Sequence, residues 1–335
     1  MNLKIIEKAQ IAQFVESIPA KKIAPVKEDG LITFREISSA EEIFWDFLNT
    51  RKSPKEFLFP QSERLFRYQR TDHGFEIGLD EIEAEKKALI GLHPCDIKSF
   101  LILDKLFDNE RYQDNYYIEK RKNTLIIGLA CNHPLNTCFC TSVDGGPFSS
   151  EGADILLTDL GDRYLMQIVS EKGKEFGSKF KDAQKSDIAE MENRKKQAIS
   201  SIKTNINLNG LYKKLEEIFE EKIWETLSEK CLNCGACTYV CPTCHCFDIQ
   251  DELKADKGIR IRNWDSCMFN LFTKHGSGHN PRTKGFQRMR QRIMHKFSYY
   301  IRNFGVTACV GCGRCILNCP VNMDIRGVLN TLIKY

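Results

Sequence analysis

The feature that most restricts this chain is a repeated spacing. Cys231-x2-Cys234-x2-Cys237-x3-Cys241-Pro242 recurs as Cys309-x2-Cys312-x2-Cys315-x3-Cys319-Pro320, with 67 residues between the two runs. Thiols three residues apart wrap around one cubane of iron and sulfide, and in the bacterial two-cluster run the fourth cysteine crosses to the other centre. The expected ligand sets are Cys231, Cys234, Cys237 and Cys319 for one [4Fe-4S] cluster, and Cys309, Cys312, Cys315 and Cys241 for the second. Gly235, Gly311 and Gly313 let backbone amides approach the sulfurs. Crossed ligation also demands that the two runs pack as a pseudo-twofold pair, whatever the chain does between them. Structural zinc uses Cys-x2-Cys units too, but a tetrahedron has no need of a third cysteine two residues on followed by Cys-Pro.

Fifteen cysteines in 335 residues would otherwise raise the question of disulfides. A chain long enough for two cores needs no such staples. No apolar stretch approaches the ~20 residues that span a bilayer, and the opening MNLKIIEKAQIAQF reads as an amphipathic first helix rather than a cleaved leader. A cytoplasmic, reducing location is expected, and metal binding is the leading use for the thiols. The formal charge of +4 ignores the clusters: three sites at about −2 each would leave the loaded protein near −2.

The pattern divides the chain into an α/β (α+β) N-terminal domain over 1–170, a helical connector over 171–210, and a mainly helical C-terminal domain over 211–335. The last holds a bacterial-type two-[4Fe-4S] ferredoxin core interrupted by a long insert, 242–308. Residues 21–38 read as a hairpin around KEDG, and DILLTDL with RYLMQIVS as another around Gly161-Asp162. KALIGL at 87–92 and TLIIGL at 124–129 flank a helical segment, predicting a parallel pair. LYKKLEEIFEEKIWETL predicts one helix with Leu211, Leu215, Ile218 and Leu227 on a face. KGFQRMRQRIMHKFSYYIRNFG predicts a long helix capped by Gly305.

Both apolar strands deliver a cysteine at their carboxyl end, Cys95 and Cys131, where α/β sheets place their ligands. The following loop returns Cys138 and Cys140. The four predict a third [4Fe-4S] site, with zinc or buried free cysteines as the alternatives. Asp96 is placed to cap the next helix, and His93 and His133 to donate hydrogen bonds to sulfur. His275 and His279 are read as loop residues. Cys244, Cys246 and Cys267 remain unassigned and are expected to be buried structural cysteines, a cluster there needing a fourth ligand such as His245, Asp265 or a partner residue.

The segments VCPTCHCFDIQDE, RNWDSCMFNLF, GSGHNPR, MHKFSY and CVGCGRCILNCPVNMDI, with GLHPCDI, CNHPLNTCFCTS and LLTDLGDRYL nearer the N-terminus, resemble one family. It comprises the iron-sulfur electron-transfer (beta) subunits of cytoplasmic NAD(P)-linked hydrogenases and sulfhydrogenases, the matching iron-sulfur component of anaerobic sulfite reductase, and the flavin oxidoreductase partners of heterodisulfide reductase. GHNPR and MHKFSY look closest to the last type. The resemblance implies a relay subunit, with no catalysis of its own, in a multisubunit oxidoreductase of anaerobic metabolism. It would stand between a catalytic subunit of hydrogenase, sulfite reductase or heterodisulfide reductase type and a flavin/NAD(P)H-binding diaphorase-type subunit. In accord with this, no Gly-x-Gly-x-x-Gly follows a strand and no Walker motif is present. The competing readings are a catalytic iron-sulfur reductase that acts on its own and an iron-sulfur nucleic-acid-binding protein. The latter would rest on nine lysines and arginines between Ser266 and Met323, where no Asp or Glu occurs. That stretch flanks anionic clusters, and offsetting their charge is the better use for it.

Overall fold

The computed structural model describes residues 2–78 and 85–335. Its twelve strands are β1 (Asn2–Glu7), β2 (Lys21–Glu28), β3 (Leu31–Glu36), β4 (Ser62–Thr71), β5 (Gly74–Gly78), β6 (Lys87–Leu92), β7 (Thr124–Leu129), β8 (Ile155–Asp159), β9 (Arg163–Ile168), β10 (Lys181–Asp182), β11 (Phe247–Lys254) and β12 (Lys257–Trp264). They form an eight-stranded sheet in the order β10-β1-β9-β8-β7-β6-β2-β3 and a four-stranded sheet in the order β11-β12-β4-β5.

The first helix, α1 (Lys8–Glu16), follows β1 directly. At the centre of the large sheet, β6 and β7 pair in parallel, joined through α2 (Pro94–Phe107) and α3 (Asn115–Lys122). Ala88, Leu89, Ile90 and Leu92 of β6 and Leu125, Ile126, Ile127 and Leu129 of β7 are all buried. Covered on both faces, such strands carry unbroken apolar runs, and each large aliphatic side chain contributes roughly 1.5–3 kcal/mol of burial. Both hairpins form where the turn residues place them, β2 with β3 and β8 with β9.

Two elements differ from expectation. The opening segment is not one helix: residues 2–7 pair along their length with β9 as an added antiparallel strand, and the helix begins only at Lys8. The backbone bonds offered by an open sheet edge override the local helical pattern. Beyond the connector, α4 (Glu171–Gly177) and α5 (Lys185–Ser201), the expected single helix splits into α6 (Leu211–Glu217) and α7 (Ile223–Ser228). The buried Trp224 of α7 turns back to donate its Nε1–H to the Ile218 carbonyl, just past the end of α6, at 2.9 Å.

The remaining helices frame the second half: α8 (Ala236–Tyr239), α9 (Gly285–Met294), α10 (Tyr300–Phe304), α11 (Arg314–Leu317) and α12 (Ile325–Lys334). The helix predicted before Gly305 is present, with a π-helical stretch at His295–Tyr299 between α9 and α10, and Gly305 ends it at φ +73°. The insert between the cysteine runs is not wholly helical. It contributes β11 and β12, and β12 pairs with β4, which lies in the N-terminal half of the chain. A buried charge network locks that junction: the Arg262 guanidinium bonds to Glu63 and Asp114, and Lys120 also donates to Glu63.

Candidate metal centres

The fold gathers the cysteines into three sets, of which the first and the third line cavities. Cys231, Cys234, Cys237 and Cys319 line one, together with Cys315, Met268 and Arg292. Gly235 starts α8 at φ +76°, and a Cβ there would meet the Phe269 ring at 2.6 Å, so only glycine turns the chain this tightly between Cys234 and Cys237. The Met323 amide donates to Cys319 Sγ at 3.1 Å. Amide donors of this kind stabilise thiolate charge.

Cys241 lies close enough to act electrostatically on both Cys309 and Cys312. Cys319 of the second run thus lines the cavity of the first run's three cysteines, and Cys241 of the first run approaches those of the second. The buried Lys296 ammonium anchors the second set: it donates to Cys241 Sγ at 3.4 Å, Thr243 Oγ1 at 3.0 Å and the Ala308 carbonyl at 2.8 Å. Burial works against its charge, but the thiols of Cys241, Cys244 and Cys309 outweigh that and raise its pKa.

Cys95, Cys131, Cys138 and Cys140 form the third set and line its cavity, closed on one side by Gly311 and Cys312. Cys95 lies in the first turn of α2, just past β6, and Cys131 follows β7, so the parallel register delivers the pair. Cys138 Sγ is 3.9 Å from the Cys312 carbonyl oxygen. The third cavity thus shares a wall with the second set. The contact depends on Gly311, at φ +63°, where a Cβ would strike the Cys140 backbone nitrogen at 2.5 Å.

Several sequence readings resolve differently around this cavity. His93 does not serve sulfur; its Nδ1 and Nε2 meet the Leu129 and Phe47 carbonyls at 3.0 and 3.4 Å. His133 reaches Cys131 through its backbone amide. Asp96 is not the helix cap, which is His93. It is fully buried and forms a bidentate pair with Arg314, at 2.6 and 2.7 Å. Arg314 also donates to the Thr50 carbonyl and Oγ1, both at 2.9 Å. His275 and His279 lie in a turn closed by the His275 amide donating to the His279 carbonyl at 2.8 Å.

Arg292 entered the sequence reading only among the nine basic residues set to offset cluster charge, and Lys55 not at all. The former lies in the cavity of Cys231, Cys237 and Cys315, with Nε and Nη2 buried and without a hydrogen-bond partner. A signal was available: Arg288, Arg292 and Lys296 step by four beside the apolar stripe of Met289, Ile293 and Phe297, so on a helix they must enter the core. Lys55, 2% exposed, donates to the Cys244 carbonyl at 2.6 Å and sits 4.1 Å over the Trp264 ring.

The donor chemistry and the orphaned Arg292 test what these cavities suit. Among the described residues no group of three or more His, Cys, Asp and Glu side chains is gathered tightly enough to hold a single metal ion. The thiols surround volumes rather than points. A buried guanidinium with two unpaired nitrogens needs an anion, and a thiolate-ligated cubane is one. The residues present fit [4Fe-4S] groups in kind, charge and spacing.

Cysteine sets with shared walls, held by buried cations, define a multi-centre iron-sulfur protein. Residues 230–323 match the 4Fe-4S dicluster domain family. The chain is 34% identical over 312 residues to the sulfhydrogenase 2 subunit beta of Pyrococcus furiosus, a similarity covering 91% of this chain and 90% of that one. No solved structure matches. The chain belongs to the sulfhydrogenase beta-subunit family of iron-sulfur electron-transfer proteins and carries a C-terminal [4Fe-4S] dicluster domain. No helix among the described residues is long and apolar enough to cross a membrane.

Proposed function

We propose that the chain is a relay without catalysis of its own, passing single electrons between a catalytic subunit of hydrogenase type and a flavin/NAD(P)H-binding subunit in a cytoplasmic complex. Sulfite reductase and heterodisulfide reductase subunits are the other candidates for the catalytic partner. Cys231, Cys234, Cys237 and Cys319 would hold one [4Fe-4S] centre; Cys309, Cys312, Cys315 and Cys241 a second; and Cys95, Cys131, Cys138 and Cys140 a third. When bound, each supplies a one-electron couple whose potential follows local charge and hydrogen bonding.

The observation that carries this reading is continuity. Cys315 lines the cavity of the first set, and Cys312 belongs to the second set while walling the third. The protein's part is to fix these neighbours rigidly and keep them dry: Arg314 and Asp96 clamp the second set to the third, and Lys296 and Arg292 place positive charge between the first and the second. The domain boundaries serve the same end, the α/β part presenting one centre to the dicluster part.

The test is anaerobic purification with iron and sulfide analysis. A Cys95→Ser plus Cys138→Ser variant should lose about four irons per chain, and retention of all iron would remove the third centre from the scheme. The unmodified chain should take electrons from dithionite yet show no turnover with NAD(P)H and a dye. Turnover would make it a catalyst in its own right.

A further inference from the structure

Three cysteines stand outside the sets described so far, and the structure does not scatter them. Cys246 and Cys267 face each other across the base of the β11–β12 hairpin, where Phe247 pairs with Trp264 and the Asp265 amide donates to the Cys246 carbonyl at 2.9 Å. Cys267 is buried in the core of the second half of the chain, and Cys246 packs against that same core. Cys244 lies between this pair and the second set: the Lys55 ammonium holds its carbonyl at 2.6 Å, and its thiol acts electrostatically on those of Cys241 and Cys267.

A role as apolar filler leaves the charges around them unexplained. Lys55, Arg292 and Lys296 are each more than nine-tenths buried, and among the described residues none has a carboxylate partner. Two are accounted for by the dicluster domain. The thiols nearest in effect to Arg292 are Cys237 and Cys315, one from each of its sets, and Lys296 answers first to Cys241. Burial lowers the Lys55 pKa, and among the thiols that oppose this Cys244 is foremost, with Cys241 and Cys246 behind it. Its ammonium is fixed at 2.6 Å from the Cys244 carbonyl, at the edge of the unassigned cysteines. Neutral thiols would leave it buried without a counter-charge, and three bare thiolates would overshoot.

We propose that Cys244, Cys246 and Cys267 hold a further [4Fe-4S] centre through three cysteines, with a non-cysteine ligand on its fourth iron and the Lys55 ammonium beside it. An oxidised core of about +2 with three thiolates carries about −1, which matches one lysine. A divalent ion with three thiolates would match as well, but these side chains are not gathered around a single point. The centre abuts the second set at Cys244 and Cys241, and so forms a branch off the relay at the root of the β11–β12 hairpin.

The experiment uses the full chain purified without oxygen. A Cys244→Ser, Cys246→Ser, Cys267→Ser variant should lose about four irons and four sulfides per chain, with the electron paramagnetic resonance of the dicluster pair unchanged. Full retention of iron overturns the proposal. Should that variant fail to fold, the unmodified chain decides it. Mild ferricyanide treatment should release the one iron not held by cysteine and yield a [3Fe-4S] signal near one per chain, which returns to [4Fe-4S] on adding ferrous iron and dithiothreitol. The absence of that signal, or about one equivalent of zinc lost with the triad, overturns it. Lys55→Met should lose the same signal and Lys55→Arg should keep it. Removal of Cys95 and Cys138 leaves this readout untouched, so the third centre and this one fail or stand separately.

Discussion

Arg314 is 1% exposed and its partner Asp96 equally so. Burial opposes the guanidinium charge, but Asp96 and the Cys312 thiol more than restore it, and the Arg314 pKa rises. Breaking such a pair on one side leaves an uncompensated buried charge. Asp96→Asn should therefore cost about 3–5 kcal/mol of stability, read from the denaturation midpoint of the cluster-loaded protein, and Asp96→Leu with Arg314→Met should recover most of the loss. Lys296→Met should move the midpoint potential of the nearest centre to more negative values in a redox titration, because a buried cation favours the extra electron. Histidines give a pH dependence. Burial first, then neighbouring charge, holds His245 down to about 3 and His295 to about 4, so both rings are neutral in the fold. An unfolded histidine protonates near about 6.5. Below that pH the unfolded chain binds protons that the folded one refuses, and stability falls by about 1.4 kcal/mol per pH unit for each ring until the folded values are reached. The thermal midpoint of His295→Leu should show a shallower slope between about pH 6.5 and 4 than the unmodified chain.

At the scale of elements, the glycines of the second cysteine run set how closely two parts of the chain approach. Gly311→Ala adds a positive-φ strain and drives a methyl into the Cys140 amide, where backbone cannot yield cheaply. A loss of about 1–3 kcal/mol is expected, together with slower electron exchange between the second set and its neighbour in freeze-quench experiments. The parallel strands were legible in sequence because burial on both faces writes an unbroken apolar run, and the dicluster domain because its two cysteine runs have a fixed spacing; Cys95 and Cys131 were found only through the strands that end at them. The hairpin β11–β12 was not. All eight residues of β11 are exposed, so FDIQDELK carries no core-facing period, and the partner of β12 is a strand far earlier in the chain. The buried role of Asp96 escaped for a similar reason. A carboxylate after Pro-Cys at a helix start looks like a cap, and its true partner is remote in sequence.

Among the described residues one core is built on the large sheet, a second on α6, α7, α9 and α12 with Cys231, Cys237, Cys309 and Cys315 packed at its margin, and a small third cluster joins Ile102 to Tyr300, Val310 and Cys312. The second core leans on its thiols, and metal binding there is part of the folding free energy. Oxidative removal of iron with a chelator should make residues 211–335 sensitive to protease while the sheet of β6, β7 and their neighbours stays resistant, as read by mass spectrometry of the fragments. The cross-chain sheet adds a consequence in time. During synthesis β4 and β5 emerge early, but β12, which must lie beside β4, is made only after the first cysteine run. The β4 edge stays open through that interval, a non-local pairing of the kind that folds slowly and invites aggregation. Its closure brings Trp264 and Cys267 into place. Completion of this sheet, like that of the sites of the two cysteine runs, therefore waits for the second half of the chain.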